Sequence, residues 1–328
     1  MNSIQELNDN IKREAVSFHG LIKECNRVIV GQEKLINRLL IGLLCNGHIL
    51  IEGVPGLAKT LAVRTLASAI HAQFQRIQFT PDLLPSDIVG TQVFNPISSQ
   101  FTARIGPIFT NIVLADEINR APAKVQSALL EAMEERQISI AGETHKLPEP
   151  FMVLATQNPI EHEGTYILPE AQLDRFMLKV IVRYPNRQEE RIIVDRMTTG
   201  LEMSISPVIS LDTIQHARSV IEGIYVDEKI HDYILNIIFL TRDPGSSGAK
   251  DIAQLIEYGA SPRATIALVK ASKAHAFLRG RGYVTPDDVR QVVFDVLRHR
   301  LVLSFVAHAD SITSDDLLNM ILAKVPVP

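Results

Sequence analysis

Cysteine is scarce in this chain. Only Cys25 and Cys45 occur among 328 residues, and their spacing suits neither a metal cluster nor a disulfide framework. Plain helix packing is the expected role of both, and a reducing cytoplasm the expected setting. Long apolar runs are missing as well. The opening residues, Met1-Asn2-Ser3-Ile4-Gln5-Glu6, are polar and hold no apolar signal core. No segment approaches the roughly 20 apolar residues that a membrane span needs. Nor is there an excess of base. The 33 Lys and Arg stand against 37 Asp and Glu, a net charge of −4, which argues against a dedicated nucleic-acid binder. Internal repeats and low-complexity tracts are absent too. What remains is an ordinary globular composition, 46% hydrophobic and 21% charged, with core material for two domains.

One stretch organises the rest: Gly53-Val54-Pro55-Gly56-Leu57-Ala58-Lys59-Thr60. The apolar run His48-Ile49-Leu50-Ile51-Glu52 before it reads as a buried strand. The run from Leu61 to Ile70 after it reads as a helix. A strand, a glycine-bearing loop and a helix opening on Lys-Thr form the context of a phosphate-binding loop. Gly53 and Gly56 let backbone N–H groups turn inward. The helix start supplies unpaired N–H groups and partial positive charge. Lys59 can reach the β- and γ-phosphates of a nucleotide, and Thr60 can place its hydroxyl on Mg²⁺. The usual glycine before the lysine is replaced by Ala58, whose methyl group is small enough to start the helix.

Taken in order, residues 1–28 carry apolar side chains at helical spacing, in one lead-in helix or two. Val30-Gly31-Gln32 breaks the pattern, and a second helix runs to Asn46-Gly47. The segment 74–79 alternates as a strand does. Segments 90–94 and 101–105 form a hairpin around Asn95-Pro96-Ile97-Ser98-Ser99-Gln100, and 137–140 with 143–146 form another. Ile112 to Ala115, Phe151 to Thr156 and Phe176 to Val182 are further buried strands. From Arg187 onward the periodicity is helical: 187–197, 211–222, 227–241, 262–278, 286–300 and 314–324, with a flexible loop at Asp243 to Gly248. The fold class is therefore α/β over residues 1–186, followed by a smaller all-helical domain over 187–328.

Four further places carry chemistry. Asp116 and Glu117 end an apolar strand, at the edge where α/β sheets hold ligands. Beside a phosphate loop, Asp116 suits Mg²⁺ and Glu117 suits the general base that polarises water. Asn158 ends a neighbouring strand and offers a neutral amide to the γ-phosphate or the attacking water. Arg175 lies between a helix end and a strand, near the edge that bears the nucleotide. It suits either the charge of a transferring phosphoryl on an adjacent molecule or a salt bridge with Asp174 or Glu170, and spacing does not choose. Arg263 follows Ser261, read as a helix cap. Its charge opposes the helix dipole there, a hint that it serves an anion.

Together these segments resemble a MoxR-type ATPase of the AAA+ class. The resemblance is carried by Gly53-x-Pro55-Gly56-x-Ala58-Lys59-Thr60, Ala115-Asp116-Glu117-Ile118-Asn119-Arg120-Ala121-Pro122, Ala155-Thr156-Gln157-Asn158-Pro159, Leu168 to Phe176 and Ser261-Pro262-Arg263, in family order over nearly the whole chain. It implies a P-loop AAA+ domain with a parallel sheet and a helical lid, ATP and Mg²⁺ as ligands, and Ala58 as the family's own form of the loop. It implies that Asn158 is sensor 1, Arg175 an arginine finger acting on a neighbour and Arg263 sensor 2. Val30-Gly31-Gln32 would line the adenine pocket, with Val54, Leu57 and Leu61 completing the loop's contacts. The two hairpins would be the helix-2 insert and the pre-sensor-1 hairpin. The family forms rings, usually hexamers, that remodel client proteins, often with partners bearing von Willebrand factor A domains.

Three rivals stand beside that reading. A metal-chelatase motor subunit shares the inserts. A helicase would carry basic residues on its hairpins, and here 94–103 has none before Arg104. A scaffold without turnover sits poorly with Glu117, Asn158 and Arg175 all present.

Overall fold

The structure, a computed structural model, describes residues 4–97, 99–160, 164–199, 203–246 and 248–328. The opening residues Met1 to Ser3, Ser98 of the first hairpin tip and Ser247 of the expected flexible loop lie outside the described residues.

The lead-in segment is one continuous helix, α1 (Ile4–Val28). Its buried side, Ile11, Ala15, Phe18, Leu21 and Cys25, recurs at three- and four-residue spacing, whereas Val16 is exposed. Gly31 then turns the chain at φ +74°, and a side chain there would meet Glu189 at 2.8 Å. Next come α2 (Glu33–Leu44), β1 (Ile49–Glu52), α3 (Lys59–Ala69), β2 (Phe74–Gln78), α4 (Pro85–Val89), and the hairpin β3 (Gly90–Asn95) with β4 (Gln100–Ile105). The chain continues through β5 (Ile112–Asp116), α5 (Ala123–Glu135), the hairpin β6 (Gln137–Ile140) with β7 (Glu143–Lys146), β8 (Met152–Gln157), α6 (Glu170–Leu173) and β9 (Leu178–Ile181).

Five strands form one parallel sheet in the order β2-β5-β8-β1-β9. Continuous apolar strands require cover on both faces, and both are covered. Side chains alternate along each strand, so successive residues enter different cores. Ile49, Ile51, Leu114 and Leu154 join one cluster, while Leu50, Val113, Ala115 and Val153 join the other. All five strands run the same way, so every strand end shares one edge, and the loop Gly53–Thr60 rises from it.

The remainder is helical: α7 (Arg187–Thr198), α8 (Leu211–Glu222), α9 (Glu228–Arg242), α10 (Lys250–Ala253), α11 (Pro262–Leu278), α12 (Pro286–Leu297), α13 (Phe305–Ala309) and α14 (Ser314–Lys324). It also holds a ribbon the helical periodicity did not announce, β10 (Ile256–Tyr258) against β11 (Val302–Leu303). Strands of three and two residues are too short to show an alternation. The helix expected over 286–300 stops at Leu297. Beyond it Arg298 donates to Lys179 O at 2.6 Å, His299 lies 2.9 Å from Phe176 O, and Arg300 donates to Met177 O at 3.1 Å. These side chains dock the helical region on β9 and the residues leading into it. A buried ion pair adds to this: Asp295 of α12, with no exposed surface, accepts from Arg38 Nε of α2 at 2.6 Å. The apolar cluster on that side of the sheet runs without a break from α1 and α2 into α8, α11, α12 and α14.

Candidate active site

The phosphate-loop segment keeps the geometry its residues imply. Gly56 takes φ +84°, and Ala58, at the N-cap of α3, takes φ 56°. A left-handed alanine carries a modest backbone penalty that glycine would avoid, on the order of 1 kcal/mol. A side chain on Gly53 would come within 3.0 Å of Val182 O, so the strand end is closely packed there. α3 starts at Lys59, and the ammonium of Lys59 donates back to Gly53 O. Thr60 is half-buried and Leu61 exposed at the mouth.

Behind the loop lies a pocket of about 130 Å³ lined by Val28, Ile29, Val30 and Gln32, by Gly56, Leu57, Ala58 and Leu61, and by Pro185, Ile193, Arg196 and Met197. Val30 was expected here. The wall from α7 was not, and Arg196 fixes it by donating to Arg27 O at 2.9 Å. Nothing in the helical periodicity of 187–197 distinguishes a pocket wall from a solvated face. Gly31, between two lining residues, and Val54 are not part of the lining.

The next two strand ends bring the acids and the amide into line. By register, Asp116 of β5, Thr156 of β8 and Ile51 of β1 stand level, and Asn158 lies one residue beyond the pairing of Gln157 with Glu52. Thr156 Oγ1 donates to Asp116 Oδ1 at 2.6 Å and accepts from Glu117 N–H at 2.8 Å. Glu117 takes the left-handed conformation, φ 57° and ψ 52°, which turns its side chain out of the strand direction. Its Oε2 accepts from Gln78 Nε2 at 2.8 Å. Gln78 Oε1 accepts in turn from Arg76 Nη2 at 2.6 Å, and Arg76 reaches Asp116 Oδ2 through Nε at 2.8 Å and Nη2 at 2.7 Å. Asn158 is buried. Its Oδ1 accepts from Ile160 N–H at 3.3 Å, and its Nδ2 has no hydrogen-bond partner among the described residues.

Thr156, Gln78 and Arg76 were not assigned any chemistry from sequence. Gln78 and Arg76 share a face of β2 by the strand's period of two, which was the available signal.

Arg175 and Arg263 do not join this group. Arg175 precedes β9 in a parallel sheet, so it stands at the edge opposite the loop and not near it, as the sequence reading expected. Four strand residues separate the two edges, on the order of 13 Å at about 3.3 Å per residue. Nor does Arg175 pair with Asp174 or Glu170. Its Nη1 donates to Leu130 O at 2.9 Å and its Nη2 forms an ion pair with Glu134 Oε2 at 3.1 Å, while Asp174 binds Arg300 at 2.7 Å. Arg263 donates to the same Glu134 at 2.8 Å. The two arginines, which sequence placed separately, therefore line one open pocket of about 260 Å³. Ser261 sits at the N-cap of α11, yet its hydroxyl donates to Asp174 at 3.0 Å instead of capping the helix.

The residues fit a nucleotide. An unsatisfied buried amide at Asn158 points to an absent acceptor. Gly56 has open space where a side chain would sit, leaving its backbone approachable. Thr60 and Asp116 offer the oxygen donors that a hard cation such as Mg²⁺ takes.

Comparison with known proteins gives a consistent picture. Residues 48–178 match the family "ATPase family associated with various cellular activities (AAA)", and residues 248–321 match an AAA lid domain. The chain is 47% identical over 320 residues to "Chaperone MoxR1" of Mycobacterium tuberculosis, covering 98% of this chain and 85% of that protein. It is 32% identical to "Protein MoxR" of Paracoccus denitrificans, covering 98% and 99% of the two chains. A crystal structure described as that of a candidate ATPase from Cytophaga hutchinsonii superposes with a TM-score of 0.91 at 45% identity, over 99% of this chain and 98% of that one.

Proposed function

Because this chain belongs to the MoxR-type AAA+ ATPases, we propose that its strand-end site hydrolyses ATP with Mg²⁺, and that the hydrolysis drives remodelling of a client protein within a ring. One arrangement carries the reading. Thr156 ties Asp116 to the backbone of Glu117, and the free amide of Asn158 stands in the same row of strand ends as Gly53. Backbone N–H groups of residues 56–60 cradle the phosphates, and Lys59 neutralises the β- and γ-oxygens. The adenine takes the pocket beside Val30 and Gly31. Thr60 and Asp116 would hold Mg²⁺, which would supply positive charge against the phosphate oxygens. Glu117 takes the proton of the attacking water, and Asn158 orients that water or the γ-phosphate.

In this reading residues 1–186 form the ATPase domain and 187–328 the lid. Arg175 and Arg263 face a neighbouring subunit. Their separation from their own loop supports action in trans, because a guanidinium at the far edge cannot touch the nucleotide bound in its own chain. A homo-oligomeric ring, probed as a hexamer, completes each site. The exposed β3–β4 hairpin supports a protein client over nucleic acid: Val93, Phe94 and Phe101 are solvent-facing, and its arginine, Arg104, sits near the base. A partner with a von Willebrand factor A domain fits the family resemblance. Among the described residues no helix is long and apolar enough to cross a membrane.

Glu117→Gln tests the reading. The amide keeps the shape and removes the base, so ATP should bind normally and turn over about 10²–10⁴ times more slowly. Loss of ATP binding in the variant would mean that Glu117 supports the fold and does not perform the chemistry.

A further inference from the structure

The metal carboxylate already has a cation beside it. Arg76, on the edge strand β2, donates from Nε to Asp116 Oδ2 at 2.8 Å with its Nη2 2.7 Å from the same oxygen, while Thr156 occupies Oδ1. Gln78 Oε1 accepts from the same guanidinium at 2.6 Å and fixes its plane. We propose that Arg76 is a resident counter-cation for Asp116, which Mg²⁺ must displace when it enters with the nucleotide. The inference rests on the reading that Asp116 serves Mg²⁺.

Two charges of one sign cannot both sit against one carboxylate oxygen without repulsion. In the metal-free chain Arg76 keeps Asp116 neutralised and correctly turned toward the loop. Once the divalent ion arrives, the weaker and more distant charge gives way. The geometry allows this cheaply. The Arg76 side chain is half-exposed, 50% against 13% for Asp116, and it lies on an edge strand with solvent beside it. A half-exposed ion pair contributes little, and little is lost when it opens. Arg76 is thus a positioning residue that sets how much Mg²⁺ the site requires. It touches neither water nor phosphate in the reaction.

The test is the Mg²⁺ dependence of nucleotide binding by the full chain, read from the fluorescence of mant-ADP as Mg²⁺ is titrated from a chelator-buffered start. Arg76→Gln removes the competing charge, so the Mg²⁺ midpoint should fall about three- to fivefold, the scale of one exposed ion pair. Arg76→Lys keeps the charge and should stay within about twofold of the parent chain. A midpoint that is unchanged or raised in Arg76→Gln overturns the proposal, as does an equal shift in both variants. Asp116→Asn separates this failure from a failure of the underlying reading. If Mg²⁺ dependence persists in Asp116→Asn, the metal role of Asp116 is wrong and the inference falls with it. If it is lost there while Arg76→Gln is silent, only the inference falls.

Discussion

Glu134 holds Arg175 and Arg263 at the same time, one carboxylate oxygen to each: Oε2 lies 3.1 Å from Arg175 Nη2, and Oε1 lies 2.8 Å from Arg263 Nη2. Arg175 follows the short helix before β9, and Arg263 stands in the first turn of α11, so a residue of α5 joins the sheet domain to the helical one. All three side chains are partly exposed, and exposed pairs are worth at most about 1 kcal/mol. The carboxylate therefore orients the two guanidinia without committing them, and their summed charge exceeds its own.

Arg175→Ala should bind ATP as the parent chain does but hydrolyse it about 10³–10⁵ times more slowly, the range for an arginine finger. Mixing it with Glu117→Gln creates interfaces where an intact Glu117 meets an intact Arg175, so mixed assemblies should regain turnover. The check is steady-state phosphate release across a range of protein concentrations. Equal rates per chain in dilute and concentrated samples, with no gain on mixing, would confine Arg175 to its own subunit.

Lys59→Ala should abolish measurable nucleotide binding while leaving the far-UV circular dichroism unchanged. The ammonium folds back onto Gly53 O, a contact the fold can lose, but no other side chain of the loop carries charge to the phosphates. Undiminished mant-ADP affinity in a folded variant would defeat the phosphate-loop reading.

Phe94 and Phe101 are cross-strand partners whose ring centroids lie 5.2 Å apart, and both remain half-exposed or more. They pack on each other and not into the core. Replacing both with serine should shift unfolding by no more than about 1 kcal/mol and leave basal ATP turnover within about twofold. A collapse of basal turnover would instead make the hairpin part of the nucleotide site.

Acid should destabilise the fold before the carboxylates titrate. Burial, helped by the Arg136 charge, pushes His48 down to about 3, and burial with Arg300 pushes His299 well below its ordinary range. His48 Nδ1 accepts from Val153 N–H at 2.9 Å, which requires the neutral ring. A depressed folded pKa means that stability is complete above the unfolded value near 6.5 and is lost as pH falls toward the folded one. Between pH 7 and 5 His48 alone should cost about 2 kcal/mol in urea unfolding. His48→Gln should flatten that slope, and an unaltered slope would remove His48 from the account.

The parts of the site that were legible in sequence are those written locally. Gly53 to Thr60, Asp116-Glu117 and Asn158 each follow an apolar run, and in a parallel sheet the residues just after such runs share an edge. Arg175 was misplaced by neglect of the same rule, since a residue just before a strand belongs to the other edge. Thr156, Gln78, Arg76 and Glu134 carry no role that sequence alone assigns, for a different reason. Their roles depend on which strands and helices become neighbours, and Gln78 stands beside Glu117 only because β2 pairs with β5. Side-chain chemistry alone gave an arginine and a glutamine on an edge strand no task. The helix boundaries at 211–222 and 314–324 are legible because side-chain caps and periodicity agree there, and 262–278 because Pro262 occupies the first turn of a periodic run.

The continuous apolar cluster has a consequence for anyone dividing this protein into pieces. α1 and α2 lie against α8 and α11, and β9 lies against α12. A chain ended at Asn186 would leave the faces of α1 and α2 in water, at roughly 1.5–3 kcal/mol for each large side chain laid bare. Neither fragment should then be soluble by itself. Co-expressed, the two should associate without a covalent link and be purified as one particle.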